Sequence, residues 1–291
     1  MKVLILGATG MLGHKLVQYL SRSFSTFGTI RRSSETFARH PAFKKATIIE
    51  GIDAFEINSV KKAIDITKPD VIINSIGIVK QLPEAFDPIK SIMINSLFPH
   101  QVAAICRERQ IRFIHYSTDC VFSGKRGKYR EDDFPDADDL YGRSKLLGEV
   151  VDKNCLTLRT SIIGREIASS HGLIDWFLSQ EGKTVRGYQQ AFFSGLTTNA
   201  HAGILAQIIA GYPNLNGLYH LAGPRISKFE LLNIVKNTYR SNIEIEPDSH
   251  EKTDRSLDNS RFQEITKIII PSWSEMINEM YKDPTPYKSL W

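Results

Sequence analysis

Apolar positions along the chain alternate between two rhythms. Short runs rich in β-branched and aromatic residues, Val3–Leu6, Thr26–Ile30, Thr47–Glu50, Val71–Ser75, Arg112–Ser117 and Leu156–Thr160, have the length and composition of buried strands. Between them apolar residues recur at helical spacing, first at Leu12, Leu16, Tyr19 and Leu20, and this predicts amphipathic helices. Parallel strands need a helix-length crossover, so strands and helices in alternation predict an α/β fold, a doubly wound parallel sheet covered on both faces.

After Gly164 the rhythm changes. A helix is expected near Leu173–Ser179, then an irregular, glycine- and aromatic-containing segment Gly187–Thr198, then an apolar helix around Ile204–Ile209 and one more strand at Leu218–Leu221 ending at Gly223-Pro224. Helices near Glu230–Tyr239 and Ser274–Tyr281 follow. The expected organisation is a dinucleotide-binding Rossmann domain over residues 1–165 with a returning segment 196–223, and a smaller substrate-binding lobe from residues 166–195 and 224–291. No repeat or low-complexity linker interrupts it.

What singles out a dinucleotide is Gly7-Ala8-Thr9-Gly10-Met11-Leu12-Gly13, placed between the first strand and the first helix. Such a turn needs a residue tolerant of positive φ, a backbone that can approach a pyrophosphate, and a helix N-terminus offering free N–H groups. The GxxGxxG spacing points to short-chain reductases. About 20 residues further on, NAD-binding proteins usually carry an acid on the ribose; Arg31-Arg32-Ser33 stands there instead. Paired guanidinium groups suit a 2′-phosphate, so NADP(H) is the expected cofactor, with NAD(H) as the alternative. Asp53, after the third strand, is a candidate for the adenine amino group.

Composition narrows the field. The 291 residues are 42% hydrophobic and can bury a sizeable core, and the net charge of +5 is spread over scattered basic pairs such as Lys44-Lys45 and Lys61-Lys62, which favours small anionic ligands over nucleic acid. Cys106, Cys120 and Cys155 form no CxxC motif, and an odd number fits a reducing compartment; the expected location is the cytoplasm, with no membrane partner. No metal site is expected: the eight histidines include no HExxH. A homodimer is left open.

Tyr141-Gly142-Arg143-Ser144-Lys145 places a tyrosine and a lysine on one helix face. A phenol with a pKa near 10 can exchange protons at neutral pH if nearby positive charge stabilises its phenolate, and Lys145 would supply that charge. Ser117-Thr118-Asp119 ends the fifth strand at the edge where open α/β sheets bind ligands, and the Thr118 hydroxyl can hold a carbonyl.

GATGMLG, STDCVFSG (Ser117–Gly124), YGRSKLLGE (Tyr141–Glu149) and LRTSIIG (Leu158–Gly164) together resemble the dTDP-4-dehydrorhamnose reductase family of extended short-chain dehydrogenases/reductases. The likeness is strong over the first 165 residues and thinner through Gly217–Gly223 and Asp254–Phe262. It implies NADPH-dependent reduction of the C4 carbonyl of a nucleotide-linked 6-deoxyhexose, with Thr118, Tyr141 and Lys145 as the catalytic trio. It further implies that Gly7, Thr9, Gly10, Met11, Leu12, Gly13, Arg31, Arg32, Asp53, Ala54, Asn74, Ser75, Gly77 and Asn95 line or support the cofactor. Lys80, Asp119, Cys120 and Ile162 fall on the sugar side, and Arg186 and Arg255, in the expected lobe, are candidates for the substrate diphosphate. Cys120, Ser123 and Ile162 depart from the family, which commonly has a tyrosine, an aspartate and an aromatic residue at those places; these departures leave the hexose and its nucleotide open. Two alternatives share the fold. A sugar-nucleotide dehydratase or epimerase usually carries an aspartate-glutamate pair after the threonine, where Cys120 follows Asp119 here. A non-catalytic NADP-binding regulatory subunit would not need all three catalytic residues.

Overall fold

Lys2–Leu6 (β1) carries four consecutive buried apolar residues, and they face two different cores: Val3 and Ile5 join one cluster, Leu4 and Leu6 another. A strand covered on both sides is what a continuous apolar run requires. The computed structural model describes residues 1–32, 37, 40–167 and 170–287. In it β1 is central to a seven-stranded parallel sheet with β2 (Ser25–Thr29), β3 (Thr47–Ile49), β4 (Val71–Asn74), β5 (Arg112–Thr118), β6 (Cys155–Thr160) and β10 (Gly217–His220) in the order β10-β6-β5-β4-β1-β2-β3. Strand order reverses between β1 and β4, and a doubly wound sheet opens its ligand crevice at the carboxyl ends of such strands.

Helix α1 (Met11–Leu20) buries Leu12, Leu16, Val17 and Leu20 against one face of the sheet. On the other face lie α2 (Ile57–Thr67) and α3 (Phe98–Glu108), through Val60, Ala63, Ile64, Phe98 and Val102. A π-helical stretch, Ile92–Leu97, leads into α3. Helix α4 (Leu140–Leu147) follows β5, and α5 (Leu173–Leu178) follows the short strand β7 (Ile162–Ile163).

The segment Gly187–Thr198, expected to be irregular, is strand through Phe193 and again at Leu196–Thr197. β8 (Thr184–Phe193) runs ten residues and β9 (Leu196–Thr197) pairs with β7. In β8 the buried positions Val185, Gly187, Ala191 and Phe193 keep the period-2 spacing of a half-buried strand; Gly187 is required because a Cβ there would lie 2.6 Å from Phe229. The apolar helix predicted at Ile204–Ile209 is longer, α6 (Thr198–Gly211), capped by the Thr197 hydroxyl accepting from the Ala200 N–H; it packs on α1 and delivers β10 to the sheet edge. Beyond it come β11 (Ile226–Ser227), α7 (Lys228–Tyr239), β12 (Glu244–Asp254), α8 (Ser260–Thr266) and α9 (Trp273–Tyr281). β12 escaped the hydrophobic pattern because it is polar and largely exposed, contains Pro247, and shifts register between Asp248 and Lys252. β11, β8 and β12 form a second sheet. The two parts share one core, which runs from Val3 and Leu158 through Phe193 to Leu231, Trp273 and Met276. Among the described residues no helix is long and apolar enough to cross a membrane.

Candidate active site

β1 ends into Gly7, whose φ of +88° suits glycine; a Cβ there would lie 2.8 Å from Ile76. A Cβ on Gly13 would lie 2.0 Å from the Gly7 carbonyl oxygen, so this glycine lets α1 pack onto the turn. Gly10 is different. Its Cβ would meet only the Gly7 oxygen at 3.5 Å, and it caps α1 without a side chain. The open space before Gly10 and the uncapped helix end together form a cradle for an anion. Thr9 and Met11 flank it half-buried, and Leu12 turns into the core. The Thr29 hydroxyl accepts from the Gly7 N–H at 3.1 Å and joins this turn to the end of β2. Arg31 and Arg32 follow there, both exposed; Ser33 lies outside the described residues. Asp53 accepts from the Phe55 N–H at 3.0 Å, and Ala54 packs against Ile78 and Ile94.

The residues after β4 serve as fasteners. Asn74 lies 3.2 Å from His115 Nδ1 and accepts from the Ile76 N–H at 3.0 Å; the Ser75 hydroxyl donates to the Leu6 carbonyl at 2.6 Å. The Gly77 backbone passes over the site, so that a Cβ there would lie 3.9 Å from Lys145 Nζ. Asn95, in the π-helical stretch, accepts from the Ile78 N–H at 2.9 Å and donates to the Ile78 carbonyl at 3.0 Å and the Ser144 hydroxyl at 3.2 Å. Its amide thereby clamps the loop to α4.

At the end of β5 the Thr118 hydroxyl accepts from the Cys120 N–H and donates to Asp119, both at 3.1 Å. Gly142 lets α4 approach this turn, since a Cβ would lie 2.2 Å from the Cys120 carbonyl oxygen. Asp139 caps α4 through the Gly142 N–H at 2.6 Å, and its second oxygen holds Lys80 at 2.6 Å; Lys80 Nζ in turn sits 5.6 Å from the Tyr141 ring centroid. Lys145 is buried and donates to the Tyr116 carbonyl at 2.6 Å. Burial pushes the Tyr141 phenol well above its ordinary range; Cys120, Asp119 and Asp139 add to the shift, while the Thr118 hydroxyl opposes it. Burial pulls the Lys145 ammonium down to about 8, against the charge of Glu149. The Cys120 thiol is pushed up to about 12 by burial. Asp119 is raised by burial and lowered by Arg255. The site thus holds a protonated phenol and an ammonium one helical turn apart, beside a threonine hydroxyl.

Arg255 joins this cluster, its Nε donating to the Phe122 carbonyl at 3.0 Å and its backbone N–H to the Phe192 carbonyl at 3.0 Å. Arg186 does not. It lies on β8 six residues before Phe192, about 20 Å away along an extended strand, where it is exposed and faces Asp248 at 3.8 Å. The extended course of β8 separates the two arginines that were expected to share the substrate diphosphate. Ile162 is half-buried in β7, paired with Leu196 and packed on the main core. Sequence reasoning missed Asp139, although an aspartate just before a helix is an N-cap signal. It also missed the buried pair Glu149–Arg159, bidentate at 2.7 and 2.8 Å, on which the Ser117 hydroxyl rests at 2.6 Å; no local pattern announces that pairing. Among the described residues no cluster of three or more His, Cys, Asp or Glu side chains could hold a metal ion.

The family model described as the RmlD substrate binding domain matches residues 1–285. The chain belongs to this RmlD family. Its relatives include a probable low-salt glycan biosynthesis reductase from Haloferax volcanii, 31% identical over 169 residues, 56% of this chain and 54% of that protein. The dTDP-4-dehydrorhamnose reductase of Salmonella typhimurium is 23% identical over 98% of this chain and 100% of its own length. The chain spans about half the length of the first of these curated relatives. Among solved structures, a dTDP-4-dehydrorhamnose reductase from Bacillus anthracis in complex with NADP superposes with a TM-score of 0.77 at 19% identity, covering 96% of this chain and 98% of that one. At that identity the likeness bears on the fold: the seven-stranded parallel sheet is of the Rossmann-like RmlD kind.

Proposed function

We propose that the chain is an NADPH-dependent reductase of the 4-keto group of a nucleotide-linked 6-deoxyhexose. The observation that carries this reading is the convergence of Thr118, Tyr141 and Lys145 on the carboxyl edge of the sheet, beside a glycine cradle open to an anion. The Haloferax, Salmonella and Bacillus relatives, by their names, are reductases, and the Bacillus protein was solved with NADP.

The residues fit the cofactor. Gly10 with the first turn of α1 would take the pyrophosphate, Arg31 and Arg32 the 2′-phosphate, and Lys145 the nicotinamide ribose. When bound, the dinucleotide supplies the hydride to C4. Thr118, whose hydroxyl proton goes to Asp119 at 3.1 Å in the free chain, would turn that proton to the carbonyl oxygen and so orient it. Tyr141, kept protonated by burial, gives its proton to the carbonyl oxygen as that oxygen gains charge, and the nearby Lys145 ammonium stabilises the phenolate left behind. Arg255, with Lys80, supplies positive charge on the sugar-nucleotide side, and the second sheet of β8, β11 and β12 with α7 would form the lobe over the sugar. Asp119 followed by Cys120 lacks the second acid that elimination would need.

The decisive measurement is NADPH consumption, followed at the absorbance of the reduced nicotinamide, with dTDP-, UDP- and GDP-linked 4-keto-6-deoxyhexoses. Turnover with one of them is expected. NADPH binding without turnover on any would overturn the reading in favour of a regulatory subunit.

A further inference from the structure

We propose that His14 and the strap Asp283–Tyr287 position the phosphate-binding turn and thereby set the affinity of this chain for its dinucleotide. The inference rests on the cofactor reading above.

The Gly10 carbonyl accepts two hydrogen bonds, from the His14 N–H at 3.1 Å and from His14 Nδ1 at 3.0 Å. A carbonyl can only accept, so Nδ1 carries the proton. The ring is buried, and burial together with Lys15 pulls its pKa down to about 3, so it is neutral. Nε2 is therefore bare and accepts a long hydrogen bond, 3.5 Å, from the Tyr287 hydroxyl, whose ring meets the imidazole edge-on. The consequence concerns the cradle. The Gly10 N–H is engaged by the Gly7 carbonyl at 3.2 Å, so with its oxygen held back on the helix Gly10 turns no carbonyl toward an incoming phosphate, which meets instead the N–H groups of Met11, Leu12 and Gly13 in the first turn of α1.

The same strap reaches the other half of the cofactor site. The Ala42 N–H donates to His40 Nδ1 at 3.3 Å, so His40 Nε2 carries its proton and donates to the Pro286 carbonyl at 3.3 Å. His40 lies on the connection from Arg31-Arg32 to β3. The strap is itself anchored: Lys15 Nζ, fully buried, binds Asp283 at 2.5 Å, Gln18 at 2.6 Å and Thr285 at 2.8 Å. One short segment thus ties the pyrophosphate turn to the chain leaving the ribose reader.

The test is NADPH titration by fluorescence on the full chain, with thermal unfolding alongside. His14→Leu should raise the Kd for NADPH about tenfold, the worth of one buried hydrogen bond, with the loss in turnover assays falling on KM more than on kcat. His14→Gln, whose amide can still donate to the Gly10 carbonyl, should recover most of the affinity, and Tyr287→Phe should lose part of it. If His14→Leu does not fold, Tyr287→Phe decides, because it removes a single oxygen. A Kd within about twofold of the parent in the folded variants would overturn the proposal while leaving the cofactor reading in place. A parent that binds neither NADPH nor NADH would overturn both. In the ligand-free protein, nitrogen NMR should find the His14 ring as the neutral Nδ1–H tautomer from about pH 5 to about pH 8; a ring titrating in that range would also overturn it.

Discussion

Tyr141 is the residue whose state most constrains the chemistry. Its phenol, raised above the ordinary range chiefly by desolvation, holds a proton through neutral pH, as the proposed general acid must. Tyr141→Phe should lower kcat by about 10²–10⁴-fold while NADPH affinity, measured by fluorescence, stays near the parent value. On the proposed mechanism Lys145 should set the pH dependence. Its ammonium, pulled down to about 8 by burial, is charged below that pH and loses its proton above it, so kcat/KM should be flat near neutrality and fall as pH rises through about 8. The matching arginine variant, Lys145→Arg, should move that limb upward if it retains activity. At the end of β2, Arg31 and Arg32 are exposed and available to a 2′-phosphate; each charge-assisted bond is worth about 1.5–3 kcal/mol, so replacing both with alanine should erase most of the preference for NADPH over NADH. The placement of Tyr141 and Lys145 on one helix, and of Arg31 and Arg32 after β2, was legible because each sits in a short motif whose spacing fixes its neighbours. Asp139, Lys80 and the Glu149–Arg159 pair meet by tertiary packing, and the Asp139–Lys80 bond spans 59 positions of chain, which periodicity cannot register.

Two glycines separate the roles of elements. Gly13 lies where the turn and α1 touch, with a Cβ position 2.0 Å from a backbone oxygen, whereas Gly203, inside α6, has nothing within 4 Å of its Cβ position. Gly13→Ala should disrupt the turn and abolish dinucleotide binding. Gly203→Ala should stabilise the protein by roughly 0.5–1 kcal/mol through the helix, read as a small rise in Tm. The parallel strands were legible as apolar runs because both of their faces are buried. β8 and β12 were not: two of the inward-phase positions of β8 are Gly187, which has no side chain, and Gln189, which is polar and exposed, and β12 has hardly any buried face to reveal. Arg186 was misplaced for that reason.

Across the whole molecule, the Lys15–Asp283 pair joins the first helix to the strap beyond the last described helix. Burial pushes the Asp283 carboxyl up, but Lys15 and Thr285 outweigh it and hold it at about 2, below its ordinary 3.8. A carboxyl depressed in the folded state stabilises the fold above its unfolded pKa and loses that contribution as pH falls through the folded value. Thermal stability should therefore drop between about pH 4 and pH 2 in the parent, and drop less steeply there in Asp283→Asn, which starts lower because a buried lysine has lost its counter-charge. Calorimetry across that range checks both. The fold class was legible in the alternation of strands and helices; the strap was not, since Asp283-Pro284-Thr285-Pro286-Tyr287 reads as an ordinary turn-rich stretch.

The partners in that lock are separated by 268 positions of chain. Closing a contact between such distant segments carries a large loop-closure cost until the structure between them has docked, so it is expected on the late side of the folding barrier. Interactions absent from the transition state govern how fast the native protein opens rather than how fast it forms. Asp283→Asn should steepen the loss of native protein with time, raising the unfolding rate while leaving the refolding arm of the chevron nearly unmoved. The lock would then act as a kinetic latch on the native state.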